Sequence, residues 1–318
     1  MSKGTVSQLA LVGVLASLLA TTAQAQSTVS TPIVGFRKTD LPSGSVCFVP
    51  GFVKAPVFQG LSSVSGQNFS VSGLVSGSLN SSNFSDRPNY PTHYVEITSG
   101  PLEGYSYDIS SNTATSVTVT DLPASLNSQN VAISIRPHFT LDDLLAGSSG
   151  LMDYSDAVNI TNPDGTNTTR YYASGSWIAE DFSTPAGHTV VYPGSGIVVS
   201  SGGASLTTSG SVKTTKTAVP LYAAAVNYVG RMNPSGSSLV GNLGISPVLV
   251  PYTDGFNVPS FDGNMSTTAT YFSDGSDILD AGYNPLAPGA IDNIPADSGI
   301  QVSVSSDTVW IMNSPLNP

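Results

Sequence analysis

Tyr171-Tyr172-Ala173-Ser174-Gly175-Ser176-Trp177-Ile178, followed after a loop by Tyr192-Pro193-Gly194-Ser195-Gly196-Ile197-Val198-Val199-Ser200, reads as aromatic strand, glycine turn, second strand start and a strand entered through Ser-Gly. The same order returns 100 residues on, as Tyr271-Phe272-Ser273-Asp274-Gly275-Ser276-Asp277-Ile278 and then Pro295-Ala296-Asp297-Ser298-Gly299-Ile300-Gln301-Val302-Ser303. Asp156 and Val158 stand 98 residues before Asp254 and Phe256, Asp164-Gly165 stands 98 before Asp262-Gly263, and Gly196-Ile197 stands 103 before Gly299-Ile300. Matches that keep their order while the offset only drifts forward are the mark of a duplicated unit.

Upstream the offset jumps. Leu41, Val46, Phe48 and Val49 stand 180 residues before Leu221, Val226, Tyr228 and Val229, whereas Leu144 stands 99 before Leu243. The difference, 180 − 99 = 81 residues, predicts an insertion in the first copy. His93 to Thr98, Tyr105 to Ile109, Ser116 to Val119 and Val131 to Ile135 alternate apolar and polar residues between turns, so the insertion is expected to be a four-strand β-meander. The resulting organisation is a first β repeat over 26–60 plus 139–210, an inserted module over 61–138 and a second repeat over 211–318. The fold class is all-β, with two related sandwich-like or barrel-like domains. One short helix is expected near 140–146, where Thr140 can cap, Asp142 and Asp143 favour the helix N-terminus and Gly147 can stop it.

Met1 to Ala25 carries Lys3, an apolar run from Leu9 to Ala20 and the small-residue pattern Ala23-Gln24-Ala25, which predicts a secretory leader over 1–25 and a mature chain from Gln26. No later run approaches the length of a membrane-spanning helix. The net charge of −11 disfavours nucleic acid and anionic membranes as partners. A single cysteine, Cys47, leaves no intramolecular disulfide, and its place in Ser45-Val46-Cys47-Phe48-Val49 reads as a buried small hydrophobe.

Thr31-Pro32-Ile33-Val34-Gly35-Phe36-Arg37, Phe52-Val53-Lys54-Ala55-Pro56-Val57, Tyr94 to Gly100, Ile135 to Leu141, Tyr192 to Gly196 and Ser209 to Val212 follow one another in a pattern that resembles an uncharacterised, paralogous family of exported bacterial proteins. The resemblance covers nearly the whole mature chain. It implies secretion and a β-rich fold and supplies no activity or catalytic residue.

Residues that could carry chemistry are sparse. His93, His138 and His188 have no metal-ligand spacing, and Pro193-Gly194-Ser195-Gly196 enters a strand, so Ser195 reads as a turn residue and not a nucleophile. Asp164, Asp262, Asp274 and Asp277 lie in Asp-Gly turns, which are hairpin signals first, with calcium as the ion they would bind if they bind one. Tyr171, Tyr172 and Trp177 are the candidates for a sugar-binding aromatic surface, with alternation making the core their default place; Tyr172 and Phe272 fall at equivalent positions, and an aromatic shared by both copies reads first as a packing residue. Glu96, Glu103 and Glu180 are the only glutamates available to a hydrolase. The expected role is therefore an exported, non-enzymatic protein of the cell surface or extracellular matrix, structural or adhesive, with no catalytic residue and no cofactor, whose partners are a surface glycan or other copies of itself. The competing expectation is a secreted carbohydrate-binding protein or glycan-active enzyme.

Overall fold

The computed structural model describes residues 33–79, 91–162, 164–232, 238–239, 244–286, 293–294 and 297–314. The leader expected over 1–25 and Leu243 lie outside them. Among the described residues no helix is long and apolar enough to cross a membrane.

The chain is all-β. It opens with β1 (Val34–Leu41) and β2 (Gly44–Phe48), then builds β3 (Phe58–Ser65), β4 (Asn68–Ser70), β5 (His93–Ile97), β6 (Ser106–Asn112), β7 (Ser116–Val119) and β8 (Asn130–Pro137). The first half resumes with β9 (Phe139–Thr140), β10 (Ala157–Thr161), β11 (Asn167–Ala173), β12 (Ser176–Ile178), β13 (Val190–Val191), β14 (Ile197–Ser201) and β15 (Ala204–Ser211). The second half holds β16 (Thr217–Leu221), β17 (Asn227–Val229), β18 (Ser238–Leu239), β19 (Gly255–Pro259), β20 (Thr267–Ser273), β21 (Ile278–Leu279), β22 (Asn293–Ile294), β23 (Ile300–Ser303) and β24 (Thr308–Met312).

Both halves follow one plan. A five-stranded sheet β12-β11-β10-β14-β2 is matched by β21-β20-β19-β23-β17, the ribbon β1-β15 by β16-β24, and the pair β9-β13 by β18-β22. In each half the sheet and ribbon close over one apolar core, formed in the first by Phe48, Leu141, Val158, Trp177, Ile197 and Leu206 and in the second by Leu221, Ile245, Phe256, Ile300, Val302 and Trp310. The expected helix is a single 3₁₀ turn, Leu141–Leu144, whose start is held by the Asp143 carboxylate accepting the Thr140 N–H at 2.8 Å. Gly147, at φ +78°, lies three residues beyond it. Too few residues separate Thr140 from that glycine for an apolar stripe to form.

Between β2 and β9 the chain makes a closed six-stranded barrel, β3-β4-β7-β6-β5-β8, in place of the expected four-strand meander. The fourth expected strand, β8, pairs with β5 and β3 and not with β7. The serine-rich stretch from Phe58 to Ser70 supplies two further staves, β3 and β4, because Val64 and Phe69 point inward against Ile97, Ile109, Val117 and Ile133. The barrel's ends meet, with the Val57 N–H donating to the Ile135 carbonyl at 2.8 Å.

The two halves join through a reciprocal set of backbone contacts. The Gly196 N–H donates to the Tyr228 carbonyl at 2.7 Å, and its counterpart, the Gly299 N–H, donates to the Cys47 carbonyl at 3.1 Å. The Gly230 N–H donates to the Gly194 carbonyl and the Val49 N–H to the Asp297 carbonyl, both at 2.9 Å. The Asp-Gly turns belong to the same set, because Gly165 abuts the Ala224 carbonyl and Gly263 abuts the Ser43 carbonyl so closely that a Cβ would come within 2.0 Å of either oxygen. Each half thus presents the same patch to the other, the isologous arrangement of a symmetric dimer, here within one chain.

The barrel is tied to the junction between the halves by buried charge. Glu96 on β5 and Lys213, between β15 and β16, are both fully buried, with Lys213 Nζ 2.5 Å from Glu96 Oε1 and Arg136 Nε 2.8 Å from Glu96 Oε2. Burial alone would push the Glu96 carboxyl up, but Lys213 and Arg136 outweigh it and hold the group ionised, below its ordinary value.

Two stability measurements test these contacts. Gly299→Ala places a Cβ 2.4 Å from Cys47 Sγ and 2.9 Å from the Val229 carbonyl oxygen, whereas at Gly196 the nearest atoms are 3.2 Å away. Denaturant unfolding should show Gly299→Ala less stable by about 1–3 kcal/mol, with Gly196→Ala losing clearly less. Glu96→Gln strands the buried Lys213 ammonium and Arg136 guanidinium and should cost about 3–5 kcal/mol. Adding Lys213→Met to it removes one of the two stranded cations and should recover part of that loss, and additive losses would show that Glu96 and Lys213 do not act as a pair.

Candidate functional site

The registers place β11 and β20 in correspondence at an offset of 101, one more than the matching letters suggest. Ala157 pairs with Tyr171 where Gly255 pairs with Phe272, and Tyr171 pairs with Ile178 where Phe272 pairs with Leu279. Tyr171 therefore corresponds to Phe272, and Tyr172 to Ser273, which corrects the equivalence of Tyr172 with Phe272. A one-residue shift in a strand reverses the face of every side chain, so the correction moves the shared aromatic off the core side.

On that outer face each half carries a cluster of three rings. In the first, Tyr171 lies 4.7 Å from Phe182 between ring centroids, and Phe182 lies 6.2 Å from Tyr154. In the second, Phe272 lies 4.8 Å from Tyr283, and Tyr283 lies 5.9 Å from Tyr252. Four of these rings are open to solvent, with Tyr154 59% exposed, Phe182 50%, Tyr252 59% and Tyr283 48%. Both clusters sit beside β12 or β21, at the sheet edge remote from the contact between the halves.

The backbone under these rings is strained. Tyr154, Phe182, Tyr252 and Tyr283 have φ of 57°, 57°, 56° and 60°, and no other aromatic residue among those described has a left-handed backbone. Such a conformation costs a side-chain-bearing residue about 1–2 kcal/mol.

Local hydrogen bonds hold the strain in place identically in both halves. The Tyr154 N–H donates to the Tyr172 carbonyl and the Tyr252 N–H to the Ser273 carbonyl, each at 2.8 Å. The Phe182 N–H donates to the Ala179 carbonyl at 3.0 Å and the Tyr283 N–H to the Asp280 carbonyl at 2.9 Å. Beneath the tyrosine turns lies a buried carboxylate. Asp156 accepts the Met152 and Gly202 N–H groups at 3.1 and 3.0 Å, and Asp254 accepts the Val250 and Ser305 N–H groups at 2.9 and 2.8 Å. Asp181 and Asp280 brace the other turn, accepting backbone N–H groups of Ser183 and Thr184, and of Gly282 and Asn284.

Of the aromatic candidates from sequence, Tyr171 is in a cluster and Trp177 is not. Trp177 is fully buried and its indole N–H donates to the Leu141 carbonyl at 2.9 Å, so it is a core residue. The aspartates lie in three separate turns. Asp164 accepts from Thr166, Asp262 from Ser260 and Asn264, and Asp274 from the N–H groups of Ser276 and Asp277, contacts that hold the first three carboxyls below their ordinary range. Asp277 offers its carbonyl to Ser246. Among the described residues no group of three or more His, Cys, Asp or Glu side chains is placed to hold a metal ion.

His138 is buried between the barrel and first half, its Nε2 2.9 Å from Asp108 Oδ1. Burial and the nearby His138 push His93 down to about 4. Cys47 is buried at the contact between the halves, where burial pushes its thiol up to about 12. A cavity of about 480 Å³ lies where barrel and both halves meet, and Arg170 is the one charged residue lining it. Its tyrosines Tyr192, Tyr222 and Tyr228 are all pushed above their ordinary value, chiefly by burial, and stay protonated.

Compared with protein-family models, curated proteins and solved structures, the chain finds no match.

The brace is testable. Asp156→Asn and Asp254→Asn each turn one accepting oxygen into a donor facing a backbone N–H, and each should cost about 2–3 kcal/mol in thermal or denaturant unfolding. Each should also raise amide exchange in its own tyrosine turn while leaving the turn in the other half protected.

Proposed function

We propose that the protein is an exported, non-enzymatic β protein of the cell surface or extracellular matrix, with an adhesive role carried by its two aromatic clusters. The observation behind this reading is the repetition of one strained and exposed three-ring arrangement in both halves. About half of each ring stays open to solvent, so these left-handed residues gain less packing than core residues would, and strain of this kind is found where a surface has work to do beyond folding. Export rests on the leader pattern of residues 1–25.

Other features support binding over hydrolysis. Glu96 is committed to Lys213 and Arg136, Glu180 accepts the Thr169 N–H at 2.8 Å, and Glu103 Oε2 lies 3.8 Å from Lys216 Nζ. The three glutamates are thus each engaged with a different partner set.

Phe182→Gly and Tyr283→Gly separate binding from folding. Each removes an exposed ring and relieves a left-handed residue, gains that offset the flexibility glycine adds to the unfolded chain. The doubly substituted protein should melt within a few degrees of the parent. In a sedimentation assay with whole cells or extracted matrix, its retained fraction should fall by about tenfold or more. Undiminished retention would remove the clusters from the function.

A further inference from the structure

Resting on that reading, we infer that the ligand of the two clusters is a neutral polysaccharide, held at both clusters by one chain or one polymer surface. Three observations narrow the chemistry.

The first is ring geometry. The open faces of Tyr154 and Phe182, and of Tyr252 and Tyr283, are tilted against one another at 50° and 49°. They make shallow platforms and not a deep pocket. A pyranose ring offers such a platform an apolar C–H face while its hydroxyls reach the rim.

The second is the rim. The turns 152–156, 179–184 and 280–284 each carry a solvent-accessible acid, Asp153, Asp181 and Asp280, the one acid of 250–254 is the buried Asp254, and none of the four turns contains Lys or Arg. Asp181, next in sequence to Phe182, and Asp280, three residues before Tyr283, brace these turns and keep carboxylate lone pairs for hydroxyl donors. The same carboxylates, on a chain of net charge −11, repel a ligand rich in uronate, sulfate or phosphate.

The third is duplication. One chain presents the same platform twice, with the same ring order and bracing, at the outer edge of each sheet. A polymer of identical sugars offers identical epitopes at many spacings. Once one platform is engaged, the second meets its epitope at high local concentration, so weak single sites combine into firm attachment.

The test uses the full chain and a polysaccharide extract of the cell surface, split on an anion exchanger into a neutral flow-through and an acidic eluate. The neutral fraction should bind and should compete for retention on cells, whereas the acidic fraction should do neither. Binding should be as strong at high salt as at low salt, since no ion pair is involved. Periodate oxidation of the cells should abolish retention and protease treatment should not. Phe182→Gly or Tyr283→Gly alone should weaken binding to the polymer about tenfold, and the pair about a hundredfold, whereas a short oligosaccharide should lose only about half its sites with either.

Competition by the acidic fraction alone, or retention removed by protease and not by periodate, would overturn the inference and leave adhesion through the clusters standing. Absence of retention on untreated cells would remove the adhesive reading itself.

Discussion

The contact between β2 of one half and the lead-in to β23 of the other, with its mirror between β17 and the lead-in to β14, is the constraint on which the architecture depends. Each of these strands is the last in its five-stranded sheet and would otherwise present an open row of backbone donors and acceptors. Val49 N–H to Asp297 and Gly299 N–H to Cys47 close one row, while Gly230 N–H to Gly194 and Gly196 N–H to Tyr228 close the other. The close approach leaves no room for a Cβ at Gly230 or Gly299, where it would come within 2.4 Å of Val49 Cγ2 or Cys47 Sγ, and little at Gly196. The buried Cys47 thiol, kept protonated by burial, is what fits between Gly196 and Gly299.

That closure determines where function can reside. Because the β2 and β17 edges are consumed by the internal contact, the end of each sheet turned away from the other half is at β12 and β21, where the chain returns along the edge through Ala186 and Leu286. The aromatic clusters stand there. The strain under the exposed rings is affordable because the turns are anchored from below by Asp156 and Asp254, carboxylates buried within hydrogen-bonding reach of four backbone N–H groups. A charged group accepting two such bonds in a low-dielectric setting is worth more than the left-handed conformation costs.

The all-β class and the shared strand plan were legible in the sequence because strand alternation and Gly-bounded turns are local signals. The barrel was half legible. Its strong staves β5 to β8 alternate clearly, whereas β3 and β4 fully bury only Val64 and Phe69 of their apolar residues, with Leu61 exposed and serines and glycines between, and become strands because the barrel has to close. The clusters were missed for a different reason. Matching Gly175 to Gly275 and Ile178 to Ile278 by identity sets the offset at 100, but the registers run at 101, since the Val258/Pro259 irregularity and a longer turn shift β20 by one further residue. That slip placed Tyr172 opposite Phe272 and turned an outward aromatic into an apparent core residue. Phe182 and Tyr283 lie in turns of different sequence, Asp181-Phe182-Ser183-Thr184 and Gly282-Tyr283-Asn284, so nothing but the fold aligns them. The signal available beforehand was the match of Asp156 with Asp254, whose common neighbour two residues earlier is a tyrosine in both copies.

The barrel's attachment follows a different logic from the contact between the halves. Two sandwiches related by duplication meet through backbone hydrogen bonds and close-packed glycines, which depend little on charge. The barrel instead docks through Glu96, whose carboxylate is shared by Arg136 of its own wall and Lys213 of the segment that leads from first half to second. A buried triad of this sort contributes little net stability over an apolar replacement, but it is intolerant of misplacement, since any other orientation leaves a charge uncompensated. The Gly104 carbonyl accepts the Ala218 N–H at 3.0 Å just beyond it, and a Cβ on Gly104 would collide with the Lys216 backbone. Contact and charge together hold the barrel against the start of β16, so the segment joining the halves is fixed by the barrel as well as by the pairing of β16 with β24.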